Sequence, residues 1–145
     1  MKSSNPDTIV LYSERCVLSG DSLEDYSRII AALQSVPSRF QDHELFSALG
    51  MSLYRAKRFD DAIQTLMKGI EVSDGLATPT DNLFLAESRY RLGDIAGAED
   101  ALNKAIPAYD AIVKANSTVS NELLEAMVLR KEASALQSLM GRLSR

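Results

Sequence analysis

Few side chains in this sequence could do chemistry, and none keeps the company that chemistry needs. His43 is the only histidine and Cys16 the only cysteine. A histidine base or a thiolate nucleophile has to be oriented or activated by a neighbouring group. Cys16 has no motif neighbour of that kind, and His43 falls in the first turn of an expected helix, on its exposed side. No Cys, His and carboxylate cluster has metal-ligand spacing, and no glycine-rich phosphate loop is present. Three acidic pairs, Glu24-Asp25, Asp60-Asp61 and Glu99-Asp100, could in principle act as acid and base. Each falls at the start of an expected second helix of a pair, where negative charge complements the helix dipole. The expectation is a protein without catalysis, cofactor or metal.

The elements that carry these residues follow from composition and periodicity. Of 145 residues, 46% are hydrophobic and 25% charged, an ordinary globular balance. No run reaches the ~18 apolar residues of a membrane span. The opening Met1-Lys2-Ser3-Ser4-Asn5-Pro6-Asp7 meets an acidic residue before any apolar stretch. A secretory signal and membrane association are therefore not expected, and cytoplasmic residence is. The net charge of −4 gives no electrostatic reason for a nucleic-acid partner.

Helical periodicity runs nearly end to end and predicts seven helices in one domain over residues 1–145. The first two span about 6–18, with Asn5 as cap, and about 23–35, with Ser22 as cap and Pro37 as stop. The third spans about 43–56 behind Asp42, and the fourth about 60–73, ended by Asp74-Gly75. The fifth, about 79–92, has the strongest start: Thr78 as cap, Pro79 first and Asp81 third. The sixth, about 95–114, contains Pro107 and should bend there. The seventh covers about 120–143.

Two stretches repeat. Leu49-Gly50 through Tyr54-Arg55 to Ala62 matches Leu85-Ala86 through Tyr90-Arg91 to Ala98, at an offset of 36 residues. The match continues from Leu66, Gly69 and Ile70 to Leu102, Ala105 and Ile106. Small residues, Gly50 or Ala86 and Ala62 or Ala98, stand where two antiparallel helices cross closely, and leucines fill the groove between them. A fainter copy precedes these, with Gly20 at the turn and Ile29, Ala32, Leu33 and Pro37 after it. Such hairpins resemble the tetratricopeptide repeat of about 34 residues. The expected fold is all-α: an α-α superhelix of about three tetratricopeptide-like hairpins (about 6–37, 43–76 and 79–112) with a long C-terminal helix.

In stacked hairpins of this kind the first helix of each pair lines a groove. By register the lining residues are Val10, Glu14 and Val17 in the first copy, Ser47, Met51 and Tyr54 in the second, and Leu83, Glu87 and Tyr90 in the third. Met51, Tyr54, Leu83 and Tyr90 would offer apolar pockets to an extended segment, with Glu87 as a polar contact. The tyrosines could equally pack inside their hairpins. The Lys/Asn set of a terminal-carboxylate clamp is missing, with Ser47 and Met51 at two of its positions. The last helix carries Ala126, Leu129, Ala133, Leu136, Met140 and Leu143 as a heptad stripe, and Leu124, Val128, Ala135 and Leu139 as a second one. The first stripe could cap the last repeat. Alternatively, Leu129, Leu136, Met140 and Leu143 could meet a partner helix or a second copy.

The whole chain resembles the class II chaperones of bacterial type III secretion, of the SycD/LcrH type. The resemblance touches Asp7-Thr8, Leu11-Tyr12-Ser13, Leu49-Gly50, Phe59-Asp60-Asp61-Ala62-Ile63, Gly93-Asp94 and Ala98-Glu99, and closes on Leu124-Glu125-Ala126 through Lys131-Glu132. It departs from that family in its short stretch before the first helix. Ala111–Asn121 also has no counterpart there. The resemblance implies a small cytoplasmic virulence-associated chaperone whose groove holds a segment of a secreted client until export. A general tetratricopeptide adaptor or assembly subunit is the alternative that the repeats alone allow.

Overall fold

The computed structural model describes residues 26–143. They form six α-helices and one turn of 3-10 helix, with no strand among them. In chain order these are α1 (Ser27–Gln34), the 3-10 turn (Ser38–Phe40), α2 (His43–Arg55), α3 (Phe59–Val72), α4 (Pro79–Arg91), α5 (Ile95–Ala115) and α6 (Asn121–Leu143). The fold is all-α, as the periodicity implied. The helix expected at about 6–18, with Val10, Glu14, Cys16 and Val17, lies outside the described residues, as do Gly20, Ser22 and Asp25. The sequence was read as one domain, and the fold divides after Leu76 into two compact units.

In the first unit α1 and α2 pack together and α2 pairs with α3. Ile29, Ile30 and Leu33 of α1 meet Leu45, Ala48, Leu49 and Leu53 of α2 in one core cluster with Ala62. Asp42 caps α2, accepting a hydrogen bond from the Leu45 amide at 3.0 Å. Gly50 lies under Leu66 of α3, and Gly69 of α3 lies against Phe46. The bare backbones let the two helices approach to the distance that Leu66 fills.

The second unit is a three-helix arrangement in which α4 pairs with α5, and α6 packs along α5 and touches α4. Thr78 and Asp81 form a complete capping box with Pro79 at the start of α4. Asp94 caps α5 through the Gly97 amide at 2.9 Å. At the turn, Arg89 Nη1 donates to the Gly97 carbonyl at 3.3 Å; at the far end of the hairpin, Thr80 Oγ1 and the Tyr109 hydroxyl lie 3.0 Å apart. α5 runs unbroken through Pro107, which is exposed. Proline removes one N–H from the helix ladder, and the helix continues for two more turns beyond it.

The two central hairpins turn in the same way. Arg58 N–H donates to the Leu53 carbonyl and Lys57 N–H to that of Tyr54, both at 2.9 Å. In the second hairpin, Asp94 N–H donates to Arg89 at 2.9 Å and Gly93 N–H to Tyr90 at 3.1 Å. Lys57 and Gly93 both hold a left-handed backbone, with φ of 61° and 85°. This is the Schellman closure of a helix C-terminus, repeated at the sequence offset.

Candidate functional site

The residues expected to line a groove are placed unevenly. In the first unit, Ser47 and Met51 are buried in α2, Met51 at 3% exposure. Ser47 Oγ lies 3.4 Å from His43 Nε2, one helical turn back on the same face. His43, expected on the exposed side, is half-buried because α3 passes over it at Gly69. Tyr54 is half-buried. Its ring lies 5.6 Å from that of Phe59, the first residue of α3, packs on the core cluster, and carries the Arg55 guanidinium at 5.5 Å. Part of the Tyr54 ring therefore serves its own hairpin.

In the second unit Leu83 has no exposed surface and Glu87 is 5% exposed. Leu83 is a core residue and offers no pocket. Glu87 is a buried carboxylate where a surface contact was expected. α4 is buried continuously from Leu83 to Ser88, which leaves no open face along that stretch. A lining assigned from register assumes one open face on the first helix of each hairpin, and these helices have almost none. Tyr90, at the position equivalent to Tyr54, is half-buried.

The residues expected to meet a partner helix are divided in the same way. Leu129 and Leu136 are buried, and Met140 is 8% exposed. They share one face of α6 with Ala126 and Ala133, and that face packs on α5. Three of the four residues are thus used inside the chain, and the first stripe is the capping one. Met140 and Leu143 also line a cleft of about 330 Å³ between the start of α5 and the end of α6, with Ile95, Leu102, Glu99 and Gln137. Leu143, at the open end, is 60% exposed. The second stripe is the exposed one: Leu124, Val128 and Leu139, with Met127 beside them.

Two polar features escaped the sequence reading. Arg130 of α6 donates through Nε to Asp110 Oδ1 of α5 at 2.7 Å and through Nη1 to Ser134 Oγ. It thereby fixes the register of α6 on α5. Burial of Tyr109 pushes its phenol well above the ordinary tyrosine range, against the smaller lowering effect of its hydrogen bond to Thr80. An aromatic two residues beyond Pro107 gave no signal of this in the sequence.

The acidic pairs also separate. Asp60 and Asp61 lie in the first turn of α3, where Asp61 pairs with Arg58 at 2.7 Å. Glu99 and Asp100 lie in the second turn of α5, and the start of that helix is held by Asp94 instead. Asp100 pairs with Lys104 at 3.1 Å. Glu24-Asp25 lies outside the described residues. Among the described residues no group of His, Cys, Asp and Glu could hold a metal ion, and no helix is long and apolar enough to cross a membrane. No protein-family model, curated protein or solved structure matches the chain.

Proposed function

We propose that the chain is a non-catalytic scaffold that holds another polypeptide, and that it acts in the cytoplasm as a chaperone for a secreted client. The observation that carries this reading is the recurrence of one hairpin with a tyrosine at the same place in both central copies. Tyr54 and Tyr90 stand immediately before identical turns and are each left half-buried. The Tyr54 ring, seated on its own hairpin, has little side-chain entropy left to lose when an apolar segment covers its outer face. The resemblance to type III secretion chaperones supplies the client class: a hydrophobic subunit that aggregates unless it is held before export. Ser47 and Met51 in the first unit, and Leu83 and Glu87 in the second, then support their own hairpins and are not contacts, because they are buried.

Co-expression with a hydrophobic, membrane-inserting secreted subunit tests the proposal. The scaffold should carry the client into the soluble fraction, and Tyr54→Ser with Tyr90→Ser should abolish that rescue while the helical circular dichroism is retained. Failure to rescue any such client, or rescue indifferent to both tyrosines, overturns it. The adaptor alternative predicts binding to a folded partner with no effect on client solubility.

A further inference from the structure

A cleft in the first unit has no part in the client-binding reading. It lies over α2, between α1 and α3, and measures about 320 Å³, a size at the small end of ligand sites. Its floor is packed and closed: Leu33, Leu45 and Phe46 line it and are buried. Gly69 brings α3 down onto Phe46. The residue before it, Lys68, sets its ammonium 5.2 Å from the centre of the Phe46 ring. That contact holds the charge at the cleft.

The walls say what the cleft takes. Lys68 is the one charged residue that lines it, and its ammonium meets no carboxylate among the described residues. In a chain of net charge −4, such an ammonium beside a cleft with no acidic lining favours an anionic partner. A single lysine, a compact point charge, matches one carboxylate. The other wall groups are mostly amides. Gln34 of α1 and Gln64 of α3 line opposite sides, and nothing pairs their side-chain amides among the described residues. Gln41 donates through Nε2 to the Val36 carbonyl at 3.1 Å, which fixes its amide and leaves its Oε1 to accept. A primary amide carries both a donor and an acceptor, the pair that a peptide bond presents along an extended chain. Amides on two walls and one ammonium therefore fit a stretch of polypeptide that bears a carboxylate.

We propose that this cleft binds an extended acidic peptide segment, with a side-chain carboxylate on Lys68 and the main chain between Gln34 and Gln64. The site is independent of client binding through Tyr54 and Tyr90, neither of which lines it. An NMR titration of the isotope-labelled full chain tests it, with a capped pentapeptide that has a leucine on each side of a central aspartate. The amides of Gln34, Gln64, Thr65 and Lys68 should shift, with half-saturation at on the order of a millimolar. The asparagine counterpart should bind about threefold more weakly, the loss expected for one exposed ion pair. Lys68→Gln, at an exposed position, should bind both peptides alike, and Lys68→Glu should prefer a lysine-centred peptide. Gln64→Leu should weaken the aspartate and asparagine peptides equally, since Gln64 serves the main chain. No shift in these amides at several millimolar, shifts centred on Tyr54 or Tyr90 instead, or equal binding of the aspartate and asparagine peptides by the parent would each overturn the proposal. None of these outcomes bears on client rescue through the tyrosines.

Discussion

Gly50 of α2 and Leu66 of α3 meet so closely that a β-carbon on residue 50 would stand 2.5 Å from Leu66 Cγ. The equivalent pair in the second hairpin is Ala86 and Leu102, both buried, so that crossing accommodates the methyl that the first one excludes. Gly50→Ala gains ~1 kcal/mol of helix propensity but forces Leu66 off its rotamer, at a cost of about 1–3 kcal/mol. A net loss of about 1 kcal/mol is expected in urea denaturation. In a double-mutant cycle Gly50→Ala with Leu66→Ala should cost less than the two changes added, because the truncated side chain makes room.

Lys57 holds the left-handed backbone that Gly93 holds in the other hairpin. A side chain in that conformation costs about 1 kcal/mol or more, and glycine escapes the cost. Lys57→Gly should therefore raise stability by ~1 kcal/mol, and Gly93→Ala should lower it by a similar amount. Opposite shifts in denaturation midpoint, with unchanged m-values, would verify both.

Tyr109 gives the fold an alkaline limit. Its buried phenol keeps its proton where the unfolded chain loses it, so the folded state binds more protons above about pH 10. Stability must then fall as pH rises beyond that point. Tyr109→Phe should remove this part of the slope. At neutral pH the same change should cost ~1 kcal/mol through the lost Thr80 hydrogen bond. Denaturant titrations of parent and variant at neutral and at strongly alkaline pH measure both effects.

Glu125 works in the other pH range. Partial burial, and then the neighbouring Glu122, raise its carboxyl above the ordinary glutamate value. The folded state thus favours its protonated form, and stability falls as pH rises from the unfolded value through the raised one. Glu125→Gln should melt higher than the parent at neutral pH, with the gain vanishing in acid below both values. The position is exposed by surface area, so the gain is small and shrinks with salt. A gain that grows toward acid would contradict the assignment.

Much of the architecture was legible because local rules wrote it. Thr78, Pro79 and Asp81 announced α4 by capping chemistry that needs only the next few residues, and Asp42 did the same for α2. The offset between Tyr54 and Tyr90 foretold two equivalent turns. The short 3-10 turn at Ser38–Phe40 was missed, because it depends on where one helix ends and the next starts to within a turn. The groove was misjudged for a different reason. Register along a helix says which residues share a face, and nothing in register says how many faces are covered. Leu83 and Glu87 stand where a lining should be, yet α4 is enclosed around them.

α6 shows the same division between what the sequence holds and what the fold adds. The sequence by itself determined that this helix has two apolar stripes, since spacing along an α-helix is fixed by its 3.6-residue turn. It also determined the helices, most of their caps and the paired hairpins, all set by interactions between residues a few positions apart. Only the tertiary structure decided which stripe is spent on the core. Leu129, Leu136 and Met140 go against α5, where Arg130 locks onto Asp110, and Leu124, Val128 and Leu139 are left outside. That choice turns on shape complementarity and on an ion pair between residues 20 positions apart. Neither can be read until the helices are docked.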